Sequence, residues 1–156
     1  MLNMRQLDLK ARKVLIREDF NVPLNGQGEI TDDSRLKASL ATIKTAYSMG
    51  ATVVIMSHMG RPKEGEYDAT LSLKTVATRL SSLLELPVSF EKSWINGIEP
   101  SHETITLLEN VRFLKGETAN DPTLAKKMAK LCDIFVNDAF ATSHRAHAST
   151  HGVAQY

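Results

Sequence analysis

Apolar positions along the chain follow two alternating periods. Lys13–Arg17 (KVLIR) is a short, partly β-branched apolar run closed by charged residues, the pattern of a buried strand. Residues 52–57 (TVVIMS) repeat it, 88–90 (VSF) form a weaker third strand, and 104–109 (TITLLE) and 133–138 (DIFVND) complete the set. Between these runs the spacing becomes helical. Leu36, Leu40, Ile43 and Tyr47 share one face of a helix over residues 35–49, and Gly50 supplies a C-cap. Leu73, Val76, Leu80 and Leu84 mark a second helix that Pro87 cannot continue. Asp121 and Pro122 read as an N-cap followed by proline at the first helical position, opening a third helix through Leu124, Met128 and Leu131. Strands alternating with helices of this length imply βαβ units with right-handed crossovers. The expected fold class is therefore α/β: three-layer α/β/α, doubly wound, around a mainly parallel Rossmann-like sheet.

Composition narrows the picture. A chain of 156 residues can enclose one core, so residues 1–156 are expected to form a single domain. The formal net charge of +1 argues against nucleic acid or an anionic membrane as partner, and any basic cluster must be local. Cys132, the only cysteine, excludes an intrachain disulfide and reads as a packed core thiol suited to a reducing compartment. The first residues, MLNMRQLDLKARK, lack the apolar stretch of a secretory signal, and no run approaches the ~18 apolar residues that span a bilayer. A soluble, cytoplasmic protein is expected.

In an open parallel sheet, ligands bind beyond the carboxyl ends of the strands. Here the first strand is followed by Glu18, Asp19, Phe20 and Asn21, the second by His58, Met59, Gly60 and Arg61. Asn110 and Arg112 follow the fourth strand, and the stretch to Arg145 follows the last. Each of these four strands delivers a cation, or a group that can become one, to one edge. Converging arginines suit a compact polyanion, because the guanidinium keeps its charge and pairs bidentately with phosphate or carboxylate. A small phosphorylated acid fits best. Arg17 joins the set if it points along the edge, or else forms a surface ion pair with Glu18. Arg35, in a first helical turn, either belongs to a local salt-bridge cluster with Asp32 and Asp33 or is held near the site by its ligand. Asp19 and Asn21 could meet a ligand or merely form an Asx turn.

A nucleotide loop is not visible. Gly26 and Gly28 lack the third glycine of a dinucleotide fingerprint and fit a hairpin or loose turn, while GRPKEGEY lacks the Walker lysine. His144, His147 and His151, at i, i+3 and i+7 of a possible helix with Asp138 nearby, raise a metal site. Against it stand the missing His-Glu-x-x-His pattern and the Arg145 cation inside the group. The preferred reading has no metal: His147 and His151 lie on a polar helix face, and His144 and Arg145 are anion ligands.

The stretches VLIREDFNVPL, SRLKASLATI, SHMGRP, LLENVRF and FVNDAFATSHRAHAS, in this order, resemble the successive substrate-domain motifs of phosphoglycerate kinases of bacterial type. The resemblance covers essentially the whole chain. It implies reversible phosphoryl transfer between 1,3-bisphosphoglycerate and ADP, giving 3-phosphoglycerate and ATP in glycolysis. It also implies that Asp19, Phe20 and Asn21 make the first substrate contact. Arg35 would be the catalytic arginine that orients the acyl phosphate. His58, Met59, Gly60, Arg61, Arg112 and Arg145 would grip the substrate, with Arg17, His144 and His147 as a less certain basic patch. Glu18, Met59 and Ala141 depart from the family pattern, in which a small or aliphatic residue, Leu and Gly are expected. The family's Mg-ATP or Mg-ADP binds a second domain that this chain lacks, so no cofactor or metal is expected in it. The resemblance thus implies a slightly truncated amino-terminal domain, inactive alone, from an enzyme that is monomeric at full length. The alternatives are a non-catalytic small-anion-binding module and a metal-binding α/β module.

Overall fold

The computed structural model describes residues 4–139 and 147–156. Five strands, β1 (Lys13–Arg17), β2 (Thr52–Met56), β3 (Val88–Glu91), β4 (Ile105–Leu108) and β5 (Ile134–Asn137), form one sheet in the order β3-β4-β2-β1-β5. All four pairings are parallel, with Val14 opposite Val53 and Ile134, and Val54 opposite Thr106. Three α-helices connect them: α1 (Ser34–Ser48), α2 (Lys74–Leu84) and α3 (Pro122–Ala129).

Strand alternation divides the core into two layers. Val14, Ile16, Val53, Ile55, Ile105 and Leu107 pack on one face with Leu36, Ile43, Val76 and Leu80 of α1 and α2. Leu15, Val54, Met56 and Leu108 pack on the other with Trp94, Leu124 and Met128, and with Ala148 and Val153 near the carboxyl end. Burial on both faces explains why these strands read as continuous apolar runs. The expected three-layer α/β/α architecture is the observed one.

Local signals act where they were expected. Gly50 follows α1 with a positive φ of 87°, its N–H bonded to the carbonyl of Tyr47. Glu85 ends α2 in the left-handed region, two residues before Pro87. Asp121 caps α3 by accepting from the N–H of Leu124 at 2.9 Å, with Pro122 at the first helical position. The helix stops at Ala129, short of Leu131, which is nevertheless buried. Gly26 and Gly28 sit in a turn closed by an antiparallel bridge between Leu24 and Ile30, a hairpin and not a nucleotide loop. Among the described residues no helix is long and apolar enough to cross a membrane.

Connections leave the sheet on opposite faces. After β2 the chain runs to α2 on one side, and after the neighbouring β4 it runs to α3 on the other. The divergence opens a crevice at the carboxyl ends of β2 and β4, where such sheets bind ligands.

Candidate functional site

Three strand exits are tied together at this crevice by buried polar side chains. Beyond β4, Asn110 accepts from the N–H of Arg112 at 3.0 Å, capping a single 3-10 turn. Its amide nitrogen donates to the carbonyls of Met59 at 2.8 Å and Leu71 at 3.0 Å. Gly60 is the meeting point of all three exits. Its N–H donates to the Asn21 side chain at 2.9 Å, and its carbonyl accepts from Arg112 Nη1 at 3.1 Å. Its φ of 63°, and the 2.7 Å at which an added Cβ would meet Leu71 Cδ2, reserve the position for glycine.

A recess of about 270 Å³ lies beside this junction, lined by Arg61, Pro62, Glu64, Arg112, Thr118 and His147. Arg61 is exposed and Arg112 is buried, so one cation is adaptable and the other is fixed by the fold. Glu64 is committed to a loop: it accepts from the N–H groups of Gly116 and Thr118 and from the Thr118 hydroxyl. The Thr118 hydrogen bond, chiefly, holds its carboxyl below the usual range, with a smaller electrostatic contribution from His147. A larger cleft of about 860 Å³ lies elsewhere, between residues 28–33 and α2, and contains none of the expected site residues.

Arg35 stands apart from the recess on the β1 exit. It donates to Asp19 at 3.1 Å and to the carbonyl of Asn21 at 2.8 Å, with half its side chain exposed. Of the two readings of Arg35, the salt-bridge cluster with Asp32 and Asp33 gives way: Arg35 pairs with Asp19, Asp33 engages Arg79 and Lys37, and Asp32 accepts from Ser34 and feels Arg35 only as a minor charge. The reason is geometric, since Asp33 faces α2 across the helix pair while Arg35 turns back toward β1. Asp19 also accepts from the N–H of Asn21 at 3.3 Å, so an Asx contact and an Arg35 tether coexist. Phe20 and Met59 are core side chains, 0% and 2% exposed, and only their backbones reach the edge.

Arg17 also requires correction, because it is no surface residue and forms no surface pair with the Glu18 carboxylate. It is 0% exposed and donates to Ser149 Oγ, the Glu18 carbonyl, Ser57 Oγ and His58 Nδ1. Burial lowers its pKa to about 10, with Glu117 opposing that shift and Arg112 adding to it. Glu117, itself buried, accepts from the N–H and hydroxyl of Ser149, and burial raises its carboxyl. Glu18 is buried too, and burial followed by its hydrogen bond to Asp138 pushes it up to about 10.

The expected polar helix face of His147 and His151 does not form. His147 has extended backbone and precedes a π-helical turn, Ala148–Gly152, so the two rings share no face; His147 lines the recess while His151 contacts Gln155. Among the described residues no group of three or more His, Cys, Asp or Glu is placed to hold a metal ion. His144 and Arg145 lie outside the described residues. Sequence reasoning missed Ser57, Glu64, Glu117 and Thr118 as parts of the site, and placed Asn110 at the ligand edge without giving it a role. Asn110 carried a usable signal, as a capping residue type between a strand end and a one-turn helix; the others have partners too distant along the chain.

Comparison with known proteins bears on the fold and the family. The family model for phosphoglycerate kinase matches residues 4–156. Phosphoglycerate kinases of Legionella pneumophila strains Lens and Paris are 52% and 53% identical over 156 residues, which is 100% of this chain and 39% of each relative. The solved phosphoglycerate kinase of Coxiella burnetii superposes with a TM-score of 0.95 at 50% identity, over 99% of this chain and 39% of that one. The enzyme of Pyrococcus horikoshii OT3 gives 0.86 at 34% identity, over 99% and 40%. The chain therefore spans about 39% of the length of the curated relatives it matches. With the same fold, and a match running through every strand exit that builds the crevice, the chain belongs to the phosphoglycerate kinase family.

Proposed function

We propose that this chain is the acid-substrate half of a glycolytic phosphoglycerate kinase and binds 3-phosphoglycerate or 1,3-bisphosphoglycerate. The observation that carries the reading is the recess where Arg61, Arg112 and His147 converge at the ends of β2 and β4. A phosphate seated there would meet one preorganised and one adaptable guanidinium. Asp19 would accept from the ligand hydroxyl, and Asn21 and Arg35 would receive the carboxyl or acyl-phosphate end, with Phe20 and Met59 contributing backbone only. Arg35, tethered yet half exposed, would orient the acyl phosphate and offset charge on the group in transit; His144, His147 and Arg145 would complete the basic surface, with the buried Arg17 behind it. Catalysis of this kind rests on positioning and electrostatic stabilisation.

The described residues do not fit a Mg-nucleotide. The G-x-G lies in a hairpin, and no phosphate loop opens any of the three helices. The nucleotide is thus assigned to a part of the enzyme outside this chain, and the chain alone is expected not to turn over. The site is cytoplasmic in this reading, and the full-length enzyme monomeric.

The test is an amide and imidazole NMR titration with 3-phosphoglycerate at low salt, with sulfate as control. Saturable shifts should cluster on Asn21, Gly60, Arg61 and His147, and Arg112→Ala should weaken binding roughly tenfold to a hundredfold. Equal responses to sulfate and 3-phosphoglycerate would reject the assignment, and turnover with Mg-ATP abolished by Arg35→Ala would reject inactivity of the chain alone.

A further inference from the structure

Arg17 and His58 meet 41 residues apart in sequence, with Arg17 Nη2 2.9 Å from His58 Nδ1. A guanidinium carries only donors. The ring nitrogen it faces must therefore accept, and a neutral imidazole that accepts at one nitrogen carries its hydrogen on the other. An imidazolium would set N–H against N–H and one positive charge against another.

The rest of the network gives every hydrogen one direction. Both oxygens of Glu117 accept from Ser149, one from its N–H and one from its hydroxyl. Having spent its only hydrogen on Glu117, the Ser149 oxygen accepts from Arg17 Nε at 3.0 Å. Ser57 likewise donates to the Glu18 carbonyl at 2.7 Å, leaving its lone pairs for the Phe20 N–H and Arg17 Nη1. Arg17 is thus held on three sides by acceptors, and it cannot rotate to offer His58 anything except an N–H. Its burial is complete, so water does not compete for Nη2.

We infer that Arg17 is a positioning residue that fixes His58 as the neutral tautomer with its hydrogen on Nε2. In that tautomer Nε2 carries a donor hydrogen without the ring first having to acquire a proton. This role rests on the proposed substrate reading insofar as His58 meets the ligand; the tautomer itself does not depend on it. Arg17 acts through His58 and through the shape of the β1 exit, and it touches no reacting atom. The chain from Glu117 to His58 links the carboxyl-terminal segment to the β2 exit, so docking of Ser149 helps to set the chemistry of a ring on another strand.

The experiment is a long-range proton–nitrogen spectrum of the five histidine rings in the nitrogen-15-labelled 156-residue chain at neutral pH. His58 is assigned by its loss in His58→Gln. The expected pattern is a pyrrole-type Nε2 and a pyridine-type Nδ1. Hydrogen on Nδ1, an imidazolium pattern, or an averaged mixture would overturn the inference. The wild-type spectrum decides this by itself, whatever the stability of the variants. In a folded Arg17→Met chain, the His58 signals should move toward the averaged pattern of free imidazole; an unchanged fixed tautomer there would overturn the role of Arg17. Addition of 3-phosphoglycerate separates the two readings. A shift at Nε2 supports both, whereas a fixed tautomer that ignores saturating ligand upholds Arg17 and overturns His58 as a substrate contact.

Discussion

Replacing Glu18 with glutamine isolates one ionisable group whose effect on stability has a defined sign. Burial pushes the Glu18 carboxyl up from its ordinary 4.5 to about 10, the hydrogen bond to Asp138 and that residue's charge add to the shift, and Arg17 opposes it. In the unfolded chain the group ionises near its ordinary value. Between these limits the folded state keeps a proton that the unfolded state releases, so stability falls as pH rises and levels off only above about 10. One linked proton corresponds to about 1.4 kcal/mol per pH unit, so about 3 kcal/mol separates pH 6 from pH 8. Glutamine keeps the volume and can donate to Asp138, but it has no proton to lose. The assay is urea unfolding followed by the fluorescence of Trp94, the only tryptophan and 2% exposed. The stability difference between Glu18→Gln and wild type should grow by about 3 kcal/mol from pH 6 to pH 8. Glu117 is also raised by burial and shares Arg17 as a neighbour, so the same comparison is made in a Glu117→Gln background, where the pH dependence of the difference should persist. A difference constant to within about 0.5 kcal/mol over that range would refute a neutral, buried Glu18.

Other substitutions probe the junction and the core. Asn110→Ala strips partners from two carbonyls and one N–H at the crevice, and should cost about 3 kcal/mol in urea unfolding; a loss below about 1 kcal/mol would mean water replaces all three. Gly60→Ala meets both a positive φ and the Leu71 side chain, and should cost about 1–2 kcal/mol. Pairing it with Leu71→Ala in a double-mutant cycle should recover only the part due to the contact. Burial raises the Cys132 thiol to about 11, so alkylation of the native chain at pH 8 should be slow and should accelerate sharply in urea. Equal rates in the two states would show a thiol that is not buried.

The elements were legible because their signals are local. Alternation of helical and strand spacing, Pro122 after Asp121, and Gly50 after the first helix each act within a few residues, and the bounds of α1, β2, β4 and α3 lie within two residues of those expected. The gathering of Asn21, Gly60, Arg61 and Arg112 followed from a rule about strand ends, which needs only the strand positions. Residue types at those ends, above all arginine, already indicated a compact anion.

Orientation and pairing were another matter. Nothing in KVLIRED distinguishes an arginine on the surface from one sealed inside, because the choice depends on Ser57, His58 and Ser149, which arrive from 40, 41 and 132 residues away. Asp33 took Arg79 as partner across 46 residues in place of Arg35 two positions along. His147 left the helical pattern because its chain is extended where it enters the recess. Short-range periodicity reports which face of an element is apolar, whereas ion pairs and buried hydrogen bonds form between whichever groups the packed layers bring within 3 Å or so of one another. The strands and helices were therefore properties of the linear chain; the burial of Arg17, the fixed geometry of Arg112 and the state of Glu18 came into being only when the sheet was assembled.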